Sequence, residues 1–249
     1  METVMLSIEQ VAGKYRSLRF NCIAETLGEL VSQAEANEMT HLEFAGMLAD
    51  HELAMREKKR VGLNLKRASF PVLKRLEEFD YRWQTTITKR QVNRLLDFSF
   101  IDNRENIVFI GPPGVGKTHL ASGIGLKAID AGYKVFFTTA LSLVEALEIA
   151  ELKGELKKKM NSLLKFDMLI LDELGYLPLN KQGMYNLFQL INAMYEYRSV
   201  IITTNKDFTK WGEFFFEDNV AVPIVDRIIH HSHIFMLGGE SYRLKDKLQ

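Results

Sequence analysis

The chain has 249 residues, 47% apolar and 26% charged, with 32 basic and 32 acidic side chains and no net charge. That length suits one large domain or two modest ones with a sizeable core, and no apolar run approaches the ~20 residues of a membrane span. The opening Met-Glu-Thr-Val-Met-Leu-Ser lacks a secretory leader's order, and the single Cys22 excludes an internal disulfide, so a reducing, cytoplasmic setting is expected.

Neutrality conceals segregation. Residues 1–55 hold nine acids against three bases, a balance of −6, and residues 56–94 hold twelve bases against four acids, a balance of +8. Helical spacing runs through residues 5–60, with Leu27, Leu30, Val31 and Ala34 on one face and Phe44, Met47 and Leu48 on another. Thr40 and Glu43 have the spacing of a capping box. The basic run Arg56, Lys58, Lys59, Arg60, Lys66, Arg67, Lys74 and Arg75 reads either as a solvated face or as a contact for duplex DNA. Phe70-Pro71 interrupts it, at a point where a helix should break or begin. Tyr81 and Trp83 among the later bases read as a small core or as part of that contact. No named DNA-binding motif occurs, so base-specific readout is not expected.

A linker over 95–104 leads to the apolar strand 107–110. The turn Gly111, Pro112, Pro113, Gly114, Val115, Gly116, Lys117 and Thr118 follows, and then a helix over 118–131 beginning at His119-Leu120. This is G-x-x-x-x-G-K-[ST], in strand–loop–helix context. Its glycines let backbone N–H groups approach phosphate, Lys117 reaches the β- and γ-phosphates, and the Thr118 hydroxyl suits Mg²⁺. A nucleotide triphosphate site is therefore expected.

Strands at 135–139, 168–172, 200–204 and 234–237 alternate with helices at 141–165, 181–197 and 222–231, the pattern of a parallel sheet with crossovers. The strand Met-Leu-Ile-Leu ends in Asp172-Glu173, which would place Asp172 beside the phosphate loop for Mg²⁺ and Glu173 to orient or deprotonate water. The strand Val-Ile-Ile-Thr-Thr ends at Asn205, an amide able to bond the γ-phosphate and that water. Lys153, Lys157, Lys158, Lys159 and Lys165 on the 141–165 helix suit either pairing with Glu151 and Glu155 or a DNA-facing surface. His230, His231 and His233 have no companions at ligand spacing, and no metal site is expected there.

Taken together, the phosphate loop, Leu-Asp-Glu-Leu-Gly, Ile-Ile-Thr-Thr-Asn, Val-Asp-Arg-Ile-Ile-His-His and Gly-Glu-Ser-Tyr-Arg resemble the IstB/DnaC branch of the AAA+ ATPases from about Leu95 to Lys245. The length of the helical part is similar to the IstB side. The resemblance implies an α/β AAA+ core with a five-stranded parallel sheet over 95–249, preceded by an all-α domain over 1–94 for DNA contact or self-assembly. It implies ATP and Mg²⁺ as cofactors and His119 within the nucleotide loop. Asn205 is similar to the first sensor. Arg227 is similar to an arginine finger reaching a neighbouring subunit, unless it pairs with Asp226 or another acid of its own chain. Arg243 is similar to a second sensor, but only six residues follow it, so a minimal lid or none is expected.

The function implied is a transposition helper that self-assembles on duplex DNA and selects or remodels target DNA. It would regulate a cognate transposase, with ATP hydrolysis driving release. DnaC members imply a replicative helicase as partner instead. Two further readings are a nucleotide-switched scaffold and a metabolic P-loop kinase. The kinase would need a second substrate pocket and a closing lid, neither of which the motifs supply.

Overall fold

The computed structural model describes residues 6–176, 180–207, 210–211 and 225–247. The chain divides into two compact units, Met1–Leu63 and Asn64–Gln249.

The first unit holds helices α1 (Ile8–Ser17), α2 (Asn21–Ala36) and most of α3 (His41–Ala68). Their inward faces bury Ala12, Ile23, Ala24, Leu27, Leu30 and Leu48. The expected capping box is present: the Thr40 N–H donates to Glu43 Oε2 at 2.7 Å and the Glu43 N–H to Thr40 Oγ1 at 3.3 Å. Helix α2 has no such cap from Phe20. Glu52 of α3, 4% exposed, serves instead, accepting the Ile23 N–H in the first turn at 2.8 Å. Burial pushes the Glu52 carboxyl up, but the hydrogen bonds from Ile23 and Arg56 outweigh it and hold the group below its usual range.

The second unit is a five-stranded parallel sheet in the order β2-β3-β4-β1-β5. The strands are β1 (Asn106–Ile110), β2 (Val135–Thr139), β3 (Met168–Leu174), β4 (Ser199–Thr204) and β5 (Ser232–Met236). β1 and β4 are buried along their whole length, as expected for central strands covered on both faces. Short helices α4 (Lys89–Arg94) and α5 (Ser99–Asp102) precede β1, and α6 (Lys117–Asp130), α7 (Ala140–Leu152), α8 (Leu156–Leu163) and α9 (Lys181–Met194) come between the strands in sequence. Residues 225–230 are helical, and residues 222–224 of that expected helix lie outside the described residues. After β5 comes only a 3₁₀ segment, Tyr242–Lys247, so no lid bundle is present among the described residues.

Two expectations change. The helix expected over 141–165 is two, because Gly154 sits at φ 68 and ends α7. The Glu155 N–H reaches Ala150 O at 2.7 Å and the Gly154 N–H reaches Glu151 O at 2.8 Å, the paired closure of a Schellman motif. β3 runs past Asp172 to Leu174, with a register shift against β4 and Glu173 at φ 60. The compact division falls between Leu63 and Asn64. Residues 76–84 are bound to the sheet unit through Lys127–Glu77 at 2.5 Å and through Gln84 Nε2, which donates to Val115 O and Gly238 O at 3.0 and 3.1 Å.

Candidate nucleotide site

The phosphate loop leaves β1 at the carboxyl edge of the sheet, where open α/β folds place their ligands. Gly116, at φ 98, starts α6, and a Cβ there would lie 2.7 Å from Phe79 Cε2, so only glycine fits. Lys117, 8% exposed, donates through Nζ to Gly111 O and Pro112 O at 2.7 and 2.8 Å. Burial lowers its pKa; the carboxylates of Asp172 and Glu173 oppose that and the Arg243 charge adds to it. The charge of an anion brought to the loop would offset that penalty.

Thr118 Oγ1 lies 2.9 Å from Asp172 Oδ1 and 3.2 Å from Oδ2. Asp172 is 5% exposed and also accepts a hydrogen bond from the hydroxyl of Thr203, which is 1% exposed. Thr203 Oγ1 in turn accepts the Glu173 N–H at 3.0 Å. That bond holds Glu173 in the left-handed region, which costs a non-glycine residue about 1–2 kcal/mol. The bulge turns Asp172 inward to Thr118 while Glu173 is exposed in the cleft. A hydroxyl beside a carboxylate is the oxygen donor set that suits Mg²⁺. Asn205 follows Thr204, which lines the cleft, and its buried Oδ1 has no hydrogen-bond partner among the described residues. Asn205 itself is not among the residues that line the cleft.

A cavity of about 170 Å³ lies over this edge. Loop residues from Pro113 to His119 form one wall. Phe79, Asp80, Trp83 and Gln84 form another, and Tyr242 and Arg243 close it. The C-terminal arm is tied down by the Leu237 N–H to Ile110 O at 2.7 Å, the Tyr242 N–H to Gly114 O at 3.0 Å, and Trp83 Nε1 to Glu240 O at 3.3 Å. Arg243 therefore lines the cleft without a lid helix to carry it there. The walls formed by Phe79 to Gln84 and by Tyr242 were not foreseen as site residues. They come from two segments over 150 residues apart, and no spacing rule links them.

Arg227 is not brought to this cleft. Its guanidinium lies 5.6 Å from the Phe188 ring centroid, and it lines a separate small cavity with Tyr195, Arg198 and His231. The basic candidates separate too. Lys74 lines the nucleotide cleft and Arg75 adjoins it, its carbonyl 2.7 Å from His119 Nε2. Arg56 is engaged by Glu52 at 2.8 Å and by Arg19 O at 2.6 Å, a structural role in the helical unit. Lys59, Arg60 and Lys158 pair with Glu25, Glu57 and Glu155. Lys58, Lys66, Arg67, Lys157 and Lys159 make no ion pair among the described residues. No helix among the described residues is long and apolar enough to cross a membrane.

Residues 13–249 match the family model described as IstB-like ATP binding protein. A relative from Geobacillus stearothermophilus, named for ATP binding in insertion sequence IS5376, is 40% identical over 230 residues, covering 92% of each chain. One from Pseudomonas aeruginosa, named for ATP binding in insertion sequence IS21, is 39% identical over 92% of this chain and 87% of its own. Among solved structures, the DnaC helicase loader superposes with a TM-score of 0.53 at 22% identity over 59% of this chain and 86% of that one, a likeness of fold. A P-loop on a five-stranded parallel sheet, with insertion-sequence relatives alike across nearly the whole length, leaves one assignment: the chain belongs to the IstB-like ATP-binding protein family.

Proposed function

We propose that this protein is an ATPase that assembles on duplex DNA as a transposition helper and presents target DNA to the transposase of its element. The observation that carries the reading is the hydrogen-bonded chain Thr118–Asp172–Thr203–Glu173 beside Lys117 at the phosphate loop. Thr118 and Asp172 would hold Mg²⁺, which supplies neutralisation of charge on the β- and γ-phosphates. Lys117 would turn from the loop carbonyls to the γ-phosphate. Glu173 would accept the proton of the attacking water, oriented by Asn205. Arg243 would contact phosphate within its own subunit. Arg227, remote from its own cleft, would serve a neighbour's, so turnover would require assembly. That relatives are named for insertion sequences supports a transposase as partner, and hydrolysis would release the assembly.

Sedimentation of the full chain with duplex or single-stranded DNA, under ATP, ADP or no nucleotide, tests this reading. ATP-dependent assembly favouring duplex is expected, with affinity that falls steeply with salt. A sequence-specific, salt-independent footprint would overturn it. Preference for single strands without self-assembly would favour a helicase loader.

A further inference from the structure

Away from the nucleotide cleft, Asn64, Arg67, Lys134, Ser162, Lys165 and Phe166 line a cavity of about 380 Å³. Lys134 immediately precedes β2, and Lys165 and Phe166 stand just before β3. The cavity therefore lies at the amino ends of these strands, about 15 Å along the sheet from the phosphate loop by strand rise. Its lining carries three cations and no acid. None of Arg67, Lys134 and Lys165 makes an ion pair among the described residues, and all three are exposed. The nearby acid, Asp167, accepts the Lys134 N–H at 2.9 Å.

Asn64 is the telling residue. It is 7% exposed, and its side-chain amide makes no hydrogen bond among the described residues. The amide is not sealed from solvent: it opens into the cavity, where it is free to donate to a polar ligand. Ser162 donates its hydroxyl to Lys159 O at 2.6 Å, which leaves Asn64 and the three cations as donors. Phe166, packed on Phe136 with ring centroids 5.1 Å apart, offers an apolar wall. Three cations with an amide donor and no acid are a phosphate site. The cations continue outside the cavity: Lys66 adjoins Arg67 on α3, and Lys159 stands three residues before Ser162 on one face of α8. A row that extends past the cavity suits a polymer of phosphates better than a single free anion.

We infer that Asn64, Arg67, Lys134 and Lys165 hold a DNA backbone phosphate, with Phe166 against the adjoining sugar. The inference rests on the DNA-binding reading above and locates one contact for it. Lysine acetylation of the full chain, read by mass spectrometry, tests it with three probes: duplex DNA, a non-hydrolysable ATP analogue and inorganic phosphate. Duplex should protect Lys134 and Lys165, and the analogue should protect the cleft lysines Lys74 and Lys117 and leave Lys134 and Lys165 reactive. In parallel, Lys134→Gln/Lys165→Gln should lower the slope of log affinity for duplex against log salt by about 0.9, the share of the one phosphate, and weaken binding at 0.1 M salt ~8-fold relative to 1 M. Binding of the ATP analogue should be unchanged. Asn64→Ala should weaken duplex binding without altering the slope, because it removes a neutral donor.

If the unaltered chain binds no DNA, this inference fails together with the DNA-binding reading. If it binds duplex while Lys134 and Lys165 stay reactive and the double variant keeps its slope, this site alone is wrong. Protection by inorganic phosphate without protection by duplex would also overturn it, in favour of a small anion.

Discussion

Replacing Thr203 by valine keeps the shape and removes one hydroxyl that does two jobs: it donates to Asp172 and accepts the Glu173 N–H at 3.0 Å. The position is 1% exposed, so water cannot take over. An orphaned buried N–H costs about 1–3 kcal/mol. Relaxation of Glu173 from φ 60 recovers part of this, at the expense of its place in the cleft. With Asp172 still held by Thr118, a net loss of ~2 kcal/mol is expected. For a unit of this size that is a fall in Tm of about 4–8 °C. Turnover should fall ~100-fold, the scale of a misplaced catalytic group, with ATP affinity within a few-fold of normal. Thr203→Ser should restore turnover. Steady-state phosphate release and thermal melts on the three proteins decide the matter. A valine variant that melts lower yet turns over normally would show that the hydroxyl supports only the fold.

Arg227→Ala should cut turnover by ~10³-fold at assembling concentrations and leave nucleotide binding by dilute protein unaltered, measurable by phosphate release and equilibrium titration. Trp83→Ala removes a wall of the cleft and should raise the Kd for ATP about tenfold, near 1.4 kcal/mol, in a fluorescence titration. Glu52→Gln should destabilise the helical unit at neutral pH by about 1.5–3 kcal/mol, the worth of hydrogen bonds to a charged group. Because the folded pKa of Glu52 lies below its ordinary 4.5, its contribution is complete above that value and lost as pH falls through the lower folded value. Denaturant melts followed by helical ellipticity should therefore differ between the two proteins at pH 7 and converge in acid.

Much of this protein was legible locally. The apolar runs before Gly111, Asp172 and Asn205 marked three parallel strands, because a strand covered on both faces must be continuously apolar. The phosphate loop was readable because its residue types are required by the ligand at fixed spacing. The break at Gly154 was missed because a glycine within a helical pattern is tolerated; only the paired bonds to Ala150 and Glu151 show it as a cap. Arg56 and Lys74 read alike as bases, and their fates differ by which partner the fold brings: Glu52 for one, the nucleotide cleft for the other.

The sequence alone determined the chemistry at the phosphate loop and the paired carboxylates, since strand, turn and helix follow there from short-range sterics and periodicity. Only the tertiary structure decided which side chains wall the cleft and where the buried Asn64 faces a cation-lined cavity. Those placements depend on segments that meet late in the chain. Phe79, Trp83 and Tyr242 become neighbours through hydrogen bonds spanning over 150 residues, a separation at which residue pattern carries no signal and packing alone selects the partner.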